Sequence, residues 1–113
     1  MKYLDYLIDE YIFVAHKLAK EKGFWDRERE MPELIALCHS ELSEALEQAR
    51  LGYAPTHEYK DENGKPCGIP SELADTVIRI MDICGHYDID LNHAIISKMK
   101  YNATRGNKHG KKF

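Results

Sequence analysis

The sequence predicts an all-α fold, a bundle of four helices. Three observations carry that expectation. Apolar residues recur at helical spacing in four separate stretches, glycines and prolines cluster between those stretches, and no two segments alternate as paired strands would.

The first helix is expected from Tyr3 to Lys22. Leu4, Leu7, Ile8, Tyr11, Ile12, Ala15, Leu18 and Ala19 form one stripe, and Gly23 supplies a C-terminal stop. The second begins at Pro32, where the missing N–H of proline costs nothing, and carries Leu34, Leu37, Cys38, Leu42, Ala45, Leu46 and Ala49 before ending at Gly52. Residues 53–68 lose all periodicity. Pro55, Asn63-Gly64, Pro66 and Gly68 predict a loop, with a tight hairpin at Asn63-Gly64. The third helix starts near Pro70 or Ser71 and runs to about Gly85, with Leu73, Val77, Ile80 and Cys84 on one side. The fourth follows Asp90, a good N-cap, and carries Leu91, Ala94, Ile95 and Met99. After Thr104 the pattern dissolves into a tail containing glycine and lysine.

A chain of 113 residues makes one domain spanning 1–113, and its 43% hydrophobic content suffices for one core. A chain this short buries only about two-thirds of its unfolded surface, so self-association would add burial. The net charge of −3 comes without a basic block of the kind a nucleic acid selects, although Lys98, Lys100, Arg105, Lys108, Lys111 and Lys112 make the C-terminal end locally basic. No run approaches the roughly 18 apolar residues that span a bilayer, and the N-terminus does not read as a leader. Cys38, Cys67 and Cys84 are odd in number and lack CxxC spacing, which predicts free thiols in a reducing, cytoplasmic setting.

The chemistry-bearing residues are acids. On a wheel of the second helix, Glu41 falls between Leu34 and Leu37 on the apolar side, and Glu44 sits at its edge. A carboxylate against a core is costly unless neutralised, and two acids three residues apart repel each other. A divalent cation between them removes both penalties. The third helix repeats the spacing with Glu72 and Asp75, though these lie away from the Leu73–Val77–Ile80 stripe. Taken alone, that pair also fits a solvated first turn favoured by the helix dipole. Antiparallel packing of the two helices would bring all four acids together. Four oxygen donors without nitrogen or sulfur suit Mg²⁺, or Mn²⁺. A di-iron bundle would want Glu-x-x-His, which does not occur in this chain.

Such a site implies a polyphosphate ligand, which needs cations as well. Lys98, Asn102 and Arg105 are spaced to share one face of the fourth helix and its extension, offering a point charge, a neutral donor and a fork for phosphate oxygens. The alternative is a solubilising basic end that complements the helix dipole. Trp25, the single tryptophan, is either a base-stacking platform or a large packing anchor. His39 precedes the acid motif and is either a neighbour of the metal ligands or a structural residue.

Ser40-Glu41-Leu-Ser-Glu44 and Glu72-Leu-Ala-Asp75, with 27 residues between Glu44 and Glu72, resemble the E-x-x-E…E-x-x-D signature of MazG-like nucleotide pyrophosphohydrolases, in the all-α NTP pyrophosphatase superfamily. The resemblance extends to Gly23-Phe-Trp25, to residues 39–47 and 64–75, and to Lys98-Met-Lys-Tyr-Asn102-Ala-Thr-Arg105. One departure is Ser40, where the family motif often has a second acid. The resemblance implies Glu41, Glu44, Glu72 and Asp75 as metal ligands, and a homodimer or dimer-based oligomer. It also implies Mg²⁺-dependent hydrolysis of a nucleoside triphosphate at the α-phosphorus to monophosphate and pyrophosphate. Glu41 or Glu44 is the expected proton acceptor for the attacking water, and Lys98 and Arg105 are expected to steady the leaving pyrophosphate. Two rivals share the fold logic: a non-catalytic module that binds nucleotides or a protein, and an enzyme of the phosphoribosyl-ATP pyrophosphohydrolase kind.

Overall fold

The computed structural model describes the backbone of residues 2–106 and the side chains of residues 7–106. Four α-helices form the body: α1 (Lys2–Glu21), α2 (Met31–Arg50), α3 (Ile69–Tyr87) and α4 (Leu91–Ala103). A minimal hairpin of β1 (Tyr59–Lys60) and β2 (Pro66–Cys67) projects between α2 and α3, with Tyr59 opposite Cys67 and Lys60 opposite Pro66. The tail residues 107–113, which include Lys108, Lys111 and Lys112, lie outside the described residues.

The helix limits follow from local chemistry. At the end of α1, Gly23 takes φ 88°, and the Phe24 N–H reaches back to the Ala19 carbonyl at 3.0 Å, satisfying an end-of-helix acceptor. Pro32 sits in the first turn of α2, and Asp90 caps α4 by accepting from the His93 N–H at 3.0 Å. The expected turn at Asn63-Gly64 is built on Asp61, whose Oδ1 accepts from the Asn63 and Lys65 amides at 2.8 and 2.9 Å.

One limit differs from expectation. α3 does not stop at Gly85 but continues to Tyr87, where Asp88 takes the left-handed conformation at φ 54°. Gly85 has a different task. A Cβ there would meet the His16 Cβ at 2.7 Å, so the missing side chain lets α1 and α3 approach closely.

α3 is the central element, packed against α2 on one side and α1 on the other, while α4 packs chiefly on α1. The apolar core is thin. Among the described residues, Ala15, Leu34, Ala45 and Cys84 are the buried hydrophobic side chains, with Leu34 only 2% exposed. The expected apolar stripe of α3 lines this core only in part: Cys84 is buried, but Leu73, Val77 and Ile80 are exposed, and the other buried side chains of α3 are Glu72, Thr76 and Asp82. The radius of gyration is 16.5 Å, against about 13 Å for a compact domain of this length. Among the described residues, no helix is long and apolar enough to cross a membrane.

Candidate metal centre

Residues Glu41, Glu72 and Asp75 converge where α2 packs on α3. Each offers a carboxylate oxygen, and the three oxygens lie within 4.8 Å of one another. The i, i+3 spacing turns Glu72 and Asp75 toward α2, and antiparallel neighbours bring Glu41 to meet them.

The start of α3 is fixed by its approach loop. Gly68 precedes the first turn at φ 112°, and a Cβ there would sit 2.3 Å from the His57 carbonyl oxygen. Only glycine fits, and its carbonyl accepts from the Glu72 N–H at 3.1 Å. Tyr59, whose hydroxyl donates to Gln48 Oε1 at 2.9 Å, ties the same loop to α2. The loop therefore sets where Glu72 enters the bundle.

Glu72 is 5% exposed, and its Oε2 is the one buried side-chain polar atom among the described residues without a hydrogen-bond partner. Burial, the neighbouring Glu44 carboxyl and the charge of Asp75 push the Glu72 carboxyl up to about 7. Glu44 is itself exposed and stands close to Glu72. Two ionised carboxylates cannot hydrogen-bond each other, so a bond between them needs a proton on one. Asp75 is also raised, by burial first and then by the charge of Glu41. Two cations oppose these effects. Lys65, on the hairpin, lowers both Glu72 and Asp75, and Arg79 lowers Asp75. Arg79 also donates from Nε to Glu41 Oε1 at 2.8 Å.

The donor set fits a hard divalent cation: three clustered carboxylates, a fourth alongside, and a buried acceptor that no protein group satisfies. Beside the cluster opens a cleft of about 430 Å³, where Glu41, Asp75 and Arg79 face an apolar wall that includes Leu18, Phe24 and Ile78. No protein-family model, curated protein or solved structure matches this chain.

The remaining sequence candidates lie elsewhere. Lys98, Asn102 and Arg105 follow one another along α4 and its end, on the helix that packs on α1. The Lys98 ammonium and the Arg105 guanidinium each lie 5.6 Å from the centre of the Tyr101 ring. Trp25 is held as an anchor: its Nε1 donates to Asp82 Oδ1 at 2.9 Å, and its ring stacks on His86 with centroids 3.8 Å apart. Asp82 Oδ1 also pairs with His16 Nδ1 at 2.7 Å. His39 is exposed on α2.

The sequence reading missed Arg79, Lys65 and Asp82. Arg79 follows Asp75 by four residues and Glu72 by seven, so helical spacing alone put it on the acid face. Lys65 carried no comparable signal, because its position depends on how the hairpin folds back.

Proposed function

We propose that Glu41, Glu72 and Asp75 hold a divalent cation, Mg²⁺ or Mn²⁺, and that the protein hydrolyses a nucleoside triphosphate to the monophosphate and pyrophosphate. One observation carries this reading: Glu72, one of three carboxylates spaced for one ion, is buried and has an oxygen without a donor. Acids kept together for stability alone would be paired or exposed. The sequence resemblance to the MazG-like pyrophosphohydrolases supplies the substrate class.

A cation bound there would neutralise phosphate charge and make a nearby water more acidic. Of the two acids expected to accept the proton, Glu44 suits the task better. It is exposed and outside the three-oxygen cluster, whereas Glu41 belongs to that cluster and already pairs with Arg79. Water would add to the α-phosphorus, its proton would pass to Glu44, and the bond to the bridging oxygen would break with pyrophosphate as leaving group. Lys65, whose charge is felt by both Glu72 and Asp75, would help to steady the developing charge.

We also assign a second copy of the chain as a partner. Tyr11, Val14, Leu73 and Val77 are all 46–56% exposed, an apolar surface that a lone small domain rarely presents. A homodimer would cover it, and would be one route by which Lys98, Asn102 and Arg105 approach an acid cluster.

The deciding experiment measures pyrophosphate released from a panel of nucleoside triphosphates with and without Mg²⁺. Release that requires Mg²⁺ and disappears in Glu72→Gln is the expected result. Nucleotide binding without turnover would favour the non-catalytic module, and turnover restricted to phosphoribosyl-ATP would favour that enzyme class.

A further inference from the structure

Arg79 occupies a position that the proposed reaction does not explain. Its Nε lies 2.8 Å from Glu41 Oε1, and Glu41 is one of the three carboxylates whose oxygens cluster within 4.8 Å. The pair is sheltered, with the Glu41 side chain 15% exposed and that of Arg79 34%. Arg79 also lines the adjoining cleft, and its guanidinium stands 5.5 Å from the centre of the Phe24 ring. The Arg29 guanidinium already stands over that ring at 3.9 Å, so the ring is not a free seat for a second cation, and a guanidinium leaving Glu41 has the open cleft to enter.

A guanidinium on Glu41 and a divalent cation bound by the same carboxylate would repel each other at a few ångströms, so each weakens the hold of the other. We propose that Arg79 is the resident counterion of the acid cluster. A divalent cation displaces it from Glu41, and the released guanidinium then serves the cleft as a clamp for an anionic ligand of the pyrophosphate type. This rests on the metal reading above. It adds that metal loading and the charge of the cleft change in one event.

The test uses two probes in calorimetry, Mn²⁺ alone and inorganic pyrophosphate added to Mn²⁺-saturated protein. Wild type is compared with Arg79→Met, which keeps the apolar stem, and with Arg79→Lys, which keeps the charge but loses the fork. Arg79→Met should bind Mn²⁺ about tenfold tighter, equivalent to about 1.4 kcal/mol. The same variant should bind pyrophosphate about tenfold more weakly. Arg79→Lys should fall between on both measures, and it carries the test if the methionine variant does not fold. A merely structural arginine would move both affinities in the same direction, so two losses would overturn the proposal. Unchanged Mn²⁺ affinity in both variants would overturn it too, while leaving the metal site in place. Failure of wild type and variants alike to bind Mn²⁺ would remove the metal site and the counterion together.

Discussion

One side of α3 carries Glu72, Thr76 and Asp82, each 5–6% exposed, while the flank beside it leaves Leu73 and Val77 at 46–47%. Burial of apolar area should produce the reverse, since an aliphatic side chain left about half exposed forgoes roughly 1 kcal/mol of transfer free energy. The two faces are unfinished in complementary ways. The inner one holds more negative charge than its neighbours neutralise, and the outer one holds more apolar surface than the chain covers. On the proposed reading, a cation would complete the first and a second copy would complete the second.

The inner face itself contains a contrast. Asp82 is as buried as Glu72, yet its Oδ1 receives Trp25 Nε1 and His16 Nδ1, at 2.9 and 2.7 Å. Glu72 Oε2 receives nothing. One buried carboxylate is built into the fold, and the other is free, on the proposed reading, to take a ligand. Substitutions should separate them.

The largest expected effect is on turnover. Glu72→Gln should lower kcat/KM at least about a hundredfold, equivalent to about 2.7 kcal/mol, measured as Mg²⁺-dependent pyrophosphate release. The same variant should hold or raise the melting temperature of the metal-free protein, because it removes a repelled charge. Asp82→Ala should behave oppositely. Stranding the Trp25 and His16 donors should cost about 2–4 kcal/mol in denaturant unfolding, with metal affinity nearly unchanged. Equal stability losses in Glu72→Gln and Asp82→Ala would erase the contrast between them.

On the outer face, Val77→Glu should leave the stability of the isolated domain within about 0.5 kcal/mol, since that position is exposed. It should nonetheless shift sedimentation from dimer to monomer. An unchanged mass would show that the apolar face of α3 is not where copies meet. Gly85→Ala probes the seam between α1 and α3. The new methyl would press on His16, costing about 1–3 kcal/mol through overpacking, offset by about 1 kcal/mol of helix propensity. A net loss of about 1 kcal/mol in thermal unfolding is expected, and a net gain would show that the seam opens freely.

Helix positions were legible in the sequence because their signals are local. The Gly23 stop, proline in the first turn of α2 and the Asp90 cap each depend on a few neighbouring residues, and each stands where the pattern put it. The four-acid set was legible from i, i+3 spacing, and three of its members converge. The inward face of α3 was not legible, because a helical wheel assumes that the apolar side is the packed side. That assumption fails here, where buried polar side chains occupy the packed side of α3 and much of its apolar stripe stays exposed. Gly85 read as a terminator because glycine commonly ends helices, and only the distance to His16 reveals its packing role. Lys65 was invisible because a hairpin, not a helix period, brings it near the acids.

The central claim is that the acid cluster is a cation site left charged and unsatisfied without its ion. Its most direct test is the melting temperature across pH, with and without Mn²⁺. The folded-state value of Glu72, about 7, lies above its ordinary value of 4.5, so the folded protein holds a proton that the unfolded chain releases between those pH values. Metal-free stability should therefore fall as pH rises from about 4.5 to about 7, by on the order of 3 kcal/mol or less, and level off above. Saturating Mn²⁺ should restore the melting temperature above pH 7 and lose its effect toward pH 5, as protons displace the ion. Glu72→Gln should flatten the metal-free slope and abolish the Mn²⁺ response. A wild-type curve that Mn²⁺ leaves unmoved at pH 8 would contradict the claim outright.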